Sequence, residues 1–226
     1  MRKAAWTRFA VLARIEYVDR VQAAFRTAEK LSARLARLSS NGHGSARDLV
    51  ALLAERLYLL DRACAGADAS EPADAFLEVR ATASDRAEAE FAGQLGEMYE
   101  AWARRRGMRA RRLWSESGCL LAVSGIGAYR ILSAEAGLHV FESPHDERSF
   151  DRVAVQVVVA PWLPAAPDAD PVATARQALS SSPAAGTIVR RYRTKPSPLV
   201  RDSVRDWRTG RLDRVLAGEF DLIVGD

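Results

Sequence analysis

The residues best suited to chemistry in this chain are its arginines. Three of the 33 basic residues, Lys3, Lys30 and Lys195, are lysines, which leaves 30 guanidinium groups, and they come in runs. Arg104, Arg105, Arg106, Arg109, Arg111 and Arg112 fall within nine residues that contain no acid. A second block, residues 190–214, holds Arg190, Arg191, Arg193, Lys195, Arg201, Arg205, Arg208, Arg211 and Arg214 against Asp202, Asp206 and Asp213. A guanidinium binds phosphate through two parallel hydrogen bonds and stacks on a base, so two such clusters point to RNA or DNA as a partner. The competing reading is a solvated basic face that binds nothing.

Other chemistries find little support. Gly125-Ile126-Gly127 follows a strand-like run and opens a helix, as a dinucleotide-binding turn does, but Arg130 stands where that motif needs its third glycine, and alternating β and α units are missing. A tight turn accounts for it. The three histidines, His43, His139 and His145, are separated by 96 and 6 residues, and no HExxH, GxSxG or phosphate-loop sequence occurs. His145 beside Asp146 and Glu147 is read as a solvated loop histidine and not a metal ligand. Cys64 and Cys119 lie 55 residues apart outside any CxxC pair, and both are expected to be buried free thiols. No cofactor, metal or hydrolytic triad is expected.

The elements that must position these arginines follow from periodicity. Phe9, Leu12, Val18, Val21, Phe25, Leu31, Leu35 and Leu38 predict one long amphipathic helix ending at Ser39-Ser40-Asn41-Gly42. Leu49, Leu52, Leu53, Leu57 and Leu60 predict a second helix from Asp48, so residues 1–65 form a helical hairpin or bundle, with 66–74 as a linker. Phe76 to Arg80 reads as a strand, and Ser84-Asp85 caps a helix carrying Phe91, Leu95, Met98, Tyr99 and Trp102. Strands follow at 108–114, 119–124, 138–142 and 153–160, with a short helix at 128–135. Residues 161–186, rich in Pro, Ala and Ser, read as a second linker. A strand at 187–192 and a helix at 211–217 cannot bury a core alone, so 187–226 is expected to pack onto the domain of 75–160. The fold class is α+β with a mainly antiparallel sheet.

Composition sets the outer bounds. In 226 residues with a formal charge of +4, 48% are hydrophobic, 27% charged and 8% aromatic, the profile of a folded globular protein. No run approaches a membrane span and no leader pattern is visible, so a cytoplasmic location is expected.

From Phe76 onwards the chain resembles bacterial class I peptide chain release factors, proteins with a PCRF domain, and specifically the UGA-reading type with a Ser-Pro-Phe tripeptide. Phe76-Leu77-Glu78-Val79-Arg80-Ala81 stands at the family's strand ending in Ile-Arg-Ala-Gly, and Phe91-Ala92, Leu95, Met98-Tyr99, Trp102-Ala103 and Gly107 follow its helix register. Gly127-Ala128-Tyr129, Leu132, Glu135, Gly137 and His139 match its Gly-x-x-Tyr, Leu-x-x-Glu-x-Gly-x-His run, and Ser143-Pro144-His145-Asp146 falls on Ser-Pro-Phe-Asp. A second block, Ile188 to Tyr192, Val200-Arg201-Asp202, Arg208-Thr209-Gly210 and Val215 to Asp221, is similar to the family's C-terminal segment.

The resemblance also specifies what differs. The family places a domain bearing the catalytic Gly-Gly-Gln between the two blocks, where this chain has residues 161–186, and none of its four glutamines, 22, 94, 156 and 177, follows two glycines. His145 replaces the phenylalanine, and the family's following Gly-Arg-x-His-Thr-Ser is Ser149 to Ala154. The resemblance therefore implies a catalytically silent, ribosome-binding protein acting in translation at the small-subunit decoding region, without peptidyl-tRNA hydrolysis. Its codon or RNA contacts would come from Ser143, Pro144, His145, Arg148 and Arg152. Its phosphate contacts would come from Arg104, Arg105, Arg106, Arg109, Arg111, Arg112, Arg190, Arg191, Arg193, Lys195 and Arg208. The alternatives are an off-ribosome protein that binds and stabilises mRNA or another structured RNA, and a module that contacts a protein partner through the N-terminal helices.

Overall fold

The computed structural model describes residues 2–40, 46–69, 71–82, 85–113, 118–144, 150–163, 169–182 and 186–221, and the side chains of residues 11–38 and from 47 onwards within them. Two helices, α1 (Arg2–Ser40) and α2 (Ala46–Asp68), form the expected hairpin. The face α1 turns inward only partly matches the predicted stripe. It keeps Val21, Leu31, Leu35 and Leu38 and adds Ala24 and Ala28, all buried or half-buried, but leaves Leu12, Val18 and Phe25 outside, 46–55% exposed. Spacings of three, four, three, four and three hold one face toward a neighbouring helix, and alanines at 24 and 28 permit close approach. A rule that looks only for large apolar side chains passes over them. Cys64 on α2 is exposed, against expectation, and Cys119 is buried, with burial pushing its thiol up to about 11.

After the hairpin come β1 (Asp74–Ala81), α3 (Arg86–Arg105), β2 (Arg109–Leu113), β3 (Gly118–Ser124), α4 (Ala128–Ser133), β4 (Gly137–Pro144), β5 (Phe150–Trp162), α5 (Pro171–Ser180), β6 (Ile188–Arg193), β7 (Leu199–Asp202), β8 (Trp207–Thr209) and α6 (Leu212–Leu216). The strands make one eight-stranded sheet in the order β2-β3-β1-β5-β4-β6-β7-β8. Among the described residues every pairing is antiparallel except β4 with β6. The C-terminal segment thus extends the same sheet, and the fold is α+β as the sequence implies.

Alternation along each strand gives the sheet two unlike faces. The first packs Leu77, Val79, Leu121, Val123, Val155 and Val157 against Phe91, Leu95, Met98, Tyr99 and Trp102 of α3, with Phe220 stacked into the same core 5.6 Å from Trp102. Asp85 caps α3, its side chain accepting from the Ala87 amide at 3.3 Å. The second face carries Phe76, Leu120, Ala122, Val158 and Ala160, and α5 lies on it through Ala175 and Leu179.

Reading residues 161–186 as a linker needs correction on this point. Pro161 and Trp162 finish β5, and Pro171 to Ser180 form a docked helix. Asp170 caps that helix, accepting from the amides of Val172 and Ala173, and Pro171 occupies its first turn, where a missing N–H costs nothing. Alanine is the strongest helix former, so a Pro/Ala/Ser composition that suggests a spacer also writes a capped helix.

The Gly125-Ile126-Gly127 turn is the seat of the helical hairpin. Gly127 has φ +72°, its amide donates to the Tyr17 hydroxyl at 3.4 Å, and a β-carbon there would lie 3.1 Å from the Arg62 β-carbon. Gly127→Ala is expected to cost about 1–2 kcal/mol from the left-handed backbone alone. Limited proteolysis should then show the α1–α2 hairpin released before the sheet.

Candidate RNA-binding surface

The second basic block is one stretch of sequence but two environments, because successive residues of β6 face opposite sides of the sheet. Arg190 points to the first face and is wholly buried. Its guanidinium donates to Asp202 at 2.7 and 3.1 Å, to Glu135 at 2.8 Å and to the Tyr192 hydroxyl at 3.3 Å, and it lies over the rings of Trp207 and Phe220. Arg205 donates to the same Glu135 and Asp202 carboxylates and to the Ile131 carbonyl. The cluster balances two positive charges with two negative ones.

This cluster welds the C-terminal segment to the rest of the sheet. Burial by itself would raise the Glu135 carboxyl, but Arg190 and Arg205 overcome it and hold the group down to about 2. His139, also buried, is pushed down to about 4 by burial, offset in part by Glu135. It stays neutral, with Nε2 donating to the Glu135 carbonyl at 3.1 Å and Nδ1 accepting from the Tyr192 hydroxyl at 3.0 Å. Both depressed groups act in one direction: the unfolded chain takes up protons that the folded chain refuses. Stability should fall as pH drops from 6.5 toward 4 through His139, and from 4.5 toward 2 through Glu135. Chemical denaturation midpoints across pH 7.5 to about 4 test this, and a flat profile would contradict it.

Arg106 is likewise structural. Its side chain is 5% exposed, donates to Asp221 at 2.6 and 3.0 Å and pairs with Glu55 of α2 at 3.1 Å, and Asp221 also accepts from the Trp102 indole at 2.7 Å. Arg106 and Arg190 therefore leave the set of expected phosphate contacts. A buried guanidinium whose donors are taken by carboxylates has nothing left to offer a phosphate. Arg105 is exposed but donates to the Ala217 carbonyl and pairs with Glu219, and exposed Arg112 pairs with Glu100 at 2.8 and 2.9 Å. Such surface pairs are weak and can exchange partners.

Of the remaining basic residues of the block, Arg191, Arg193, Arg201 and Arg208 share the second face, whereas Arg211 and Arg214 belong to α6 and its cap. Arg191 is opposite Arg201 on β7, and Arg201 is opposite Arg208 on β8, with Arg201 and Arg208 exposed and Arg191 half-buried. Like charges directly opposite one another destabilise a sheet, so this row carries a cost that an anion would relieve. Glu142 is the acid beside it, accepting from Arg191 at 3.1 Å and pairing with Arg152 at 3.5 Å. Arg201 belongs to the run the sequence reading counted, but was not among its phosphate candidates. Only the cross-strand register places it at the centre of the row.

Parallel pairing of β4 with β6 sets this block beside the β4–β5 hairpin tip. Glu142 pairs in register with Arg193, whose guanidinium lies 6.0 Å from the Phe150 ring at the start of β5. Ser143 is half-buried and Pro144 exposed at the end of β4, Arg152 is exposed on β5, and Lys195 is exposed in the turn after β6. His145 and Arg148 lie outside the described residues. The other cluster is elsewhere: β2 is the far edge strand, and its Arg109 and Arg111 are exposed at the opposite margin of the sheet.

A family model, the PCRF domain, matches residues 8–147, more than half of the chain, from within α1 to just past the end of β4. The chain belongs to the PCRF-domain family. The solved structure of RF2 of Thermus thermophilus is similar to it at 18% identity and a TM-score of 0.49, with 89% of this chain and 81% of that chain covered. Membership ties this PCRF-domain protein to translation. It also recasts the shared motif: Gly127, Glu135 and His139 seat the helical hairpin, anchor Arg190 and Arg205, and pack beneath the sheet. Gly137 lets β4 approach β6, since a β-carbon there would lie 2.6 Å from the Thr187 carbonyl oxygen. These are scaffold residues. Among the described residues no helix is long and apolar enough to cross a membrane.

Proposed function

We propose that this PCRF-domain protein binds the ribosome at the small-subunit decoding region and acts in termination or stalling control without hydrolysing peptidyl-tRNA itself. The observation that carries the reading is the juxtaposition of the Ser143-Pro144 tip with the row Arg191, Arg201, Arg208 on one sheet face. Guanidiniums in such a row neutralise a phosphate backbone, while a tip beside them is placed to meet bases or base edges. Silence toward the ester is supported by the sequence, which contains no Gly-Gly-Gln, and by helix α5 docked where the family inserts its catalytic domain. A docked helix offers no ordered donor to an ester on the far side of a ribosome. Such a protein would occupy a site and block it, sense it or recruit the chemistry, in the cytoplasm.

Sedimentation through a sucrose cushion with vacant ribosomes and with complexes halted at UGA, UAA or a sense codon tests the reading. Association that requires an empty A site is the expected result, and preference for UGA would assign base reading to the tip. No association at moderate salt would overturn the ribosome reading and move the weight to free RNA.

A protein contact through the N-terminal helices is favoured by a separate observation. Val11, Ile15, Val18 and Phe25 form an exposed apolar row on α1, each 46–55% exposed. Replacing Ile15 and Phe25 by serine should leave RNA binding unchanged and abolish such a contact, as read by crosslinking in extracts.

A further inference from the structure

Helix α5 covers β1 and β5 on the second face and leaves the β2–β3 margin beside it open. A groove of about 660 Å3 runs there, lined by Arg104, Met108, Arg109, Arg111, Ala122 and Trp162 among others. Its charge is one-sided. Among the described residues Arg104, Arg109 and Arg111 have no ion-pair partner, whereas Glu100 on the rim is committed to Arg112 through bonds of 2.8 and 2.9 Å. Asp74, the other nearby acid, accepts from the Gly125 amide at 3.1 Å and lies within electrostatic reach of Arg20 as well as Arg109.

The groove also has an aromatic wall. Trp162, at the end of β5, is half-buried and stacked on Phe76 with ring centroids 5.3 Å apart, so its indole is held in place by the core beneath α5. Arg109 and Arg111 project from the same face of β2, about 6.5–7 Å apart along the strand, a separation comparable to that of successive phosphates on an extended nucleic-acid chain. We infer that this groove binds single-stranded RNA, with phosphates on Arg109 and Arg111 and a base against Trp162. It rests on the reading of the chain as an RNA-binding protein, but on residues that the hairpin tip does not use. A duplex hides its base faces inside the helix and cannot stack on Trp162, whereas a single strand presents one at every nucleotide. An acidic peptide would add to the open backbone edge of β2 and has no use for the indole.

Fluorescence anisotropy of a labelled oligouridylate of about eight nucleotides tests the inference. Wild-type protein should bind it, and R109A/R111A should weaken binding at least tenfold while the log-log salt slope falls by about 1.4, from about 0.7 per phosphate contact. W162F, which keeps a ring on Phe76, should bind more weakly than wild type with an unchanged melting temperature. R86A, which removes an exposed arginine at the start of α3 that does not line the groove, should bind the oligonucleotide as wild type does. Affinity unmoved by R109A/R111A, or equal displacement by a duplex or by an acidic peptide, would overturn the inference. Ribosome association without oligonucleotide binding would sink the groove alone, and oligonucleotide binding without ribosome association would sink the decoding-site reading alone.

Discussion

Replacing Glu135 with glutamine is expected to lower the stability of this protein by about 3–5 kcal/mol, although Glu135 touches no ligand surface. The carboxylate is wholly buried and receives Arg190 at 2.8 Å and Arg205 at 2.5 Å. Without its charge, two guanidiniums face one carboxylate, Asp202, in a site with little water to compensate. Breaking one partner of a buried ion cluster leaves the others desolvated and unpaired, which costs far more than the intact cluster gains. The loss should be coupled to Arg205: a double-mutant cycle with Arg205→Met should recover part of it, because removing the second cation restores charge balance. Urea unfolding of the four proteins gives the result, and a loss below about 1 kcal/mol would show that the cluster is not the weld described here. Arg190→Ala belongs to the same class, so a loss of RNA binding in that variant would report unfolding and not a lost contact.

The second large effect is expected on binding and not on folding. Alanine at both Arg201 and Arg208 should leave the unfolding midpoint unchanged or slightly raised, since two members of a like-charged row are removed from exposed positions. Ribosome association should weaken on the order of tenfold to a hundredfold, and its salt slope should fall by roughly 1.4 if both sites neutralise phosphate on unpaired RNA. Glutamate at the same positions should abolish association. The choice of residues matters: reversing Arg104, Arg105 and Arg106 together would destroy the Asp221 and Glu55 pairs of Arg106 and confound binding with unfolding. Retention of full association by R201A/R208A, with co-sedimentation otherwise intact, would move the interface off this face.

Periodicity and local chemistry determined the elements. The caps and stripes of α3, the short strands at 109–113, 118–124, 137–144 and 150–162, and the turn at Gly125-Ile126-Gly127 are all legible because each depends on neighbours within a few positions. Motif spacing likewise carried the family, as the match over residues 8–147 bears out. Long-range pairing was not legible. Nothing in the run Arg190-Arg191-Tyr192-Arg193 tells which arginine is buried until β6 has a neighbour and a face. Register then sends Arg190 to the carboxylates of Glu135 and Asp202 and leaves Arg191 opposite Arg201. Helix α5 was hidden for a different reason, since an alanine-rich stretch between prolines has no apolar stripe long enough to mark it. Only the open second face of the sheet gives Ala175 and Leu179 something to bury against. The sequence by itself thus marked the arginines of two basic runs as able to meet a phosphate, without singling out Arg201. The tertiary structure decided which of them do structural work instead, because burial turns a guanidinium from a ligand for RNA into a counter-ion for the protein's own carboxylates.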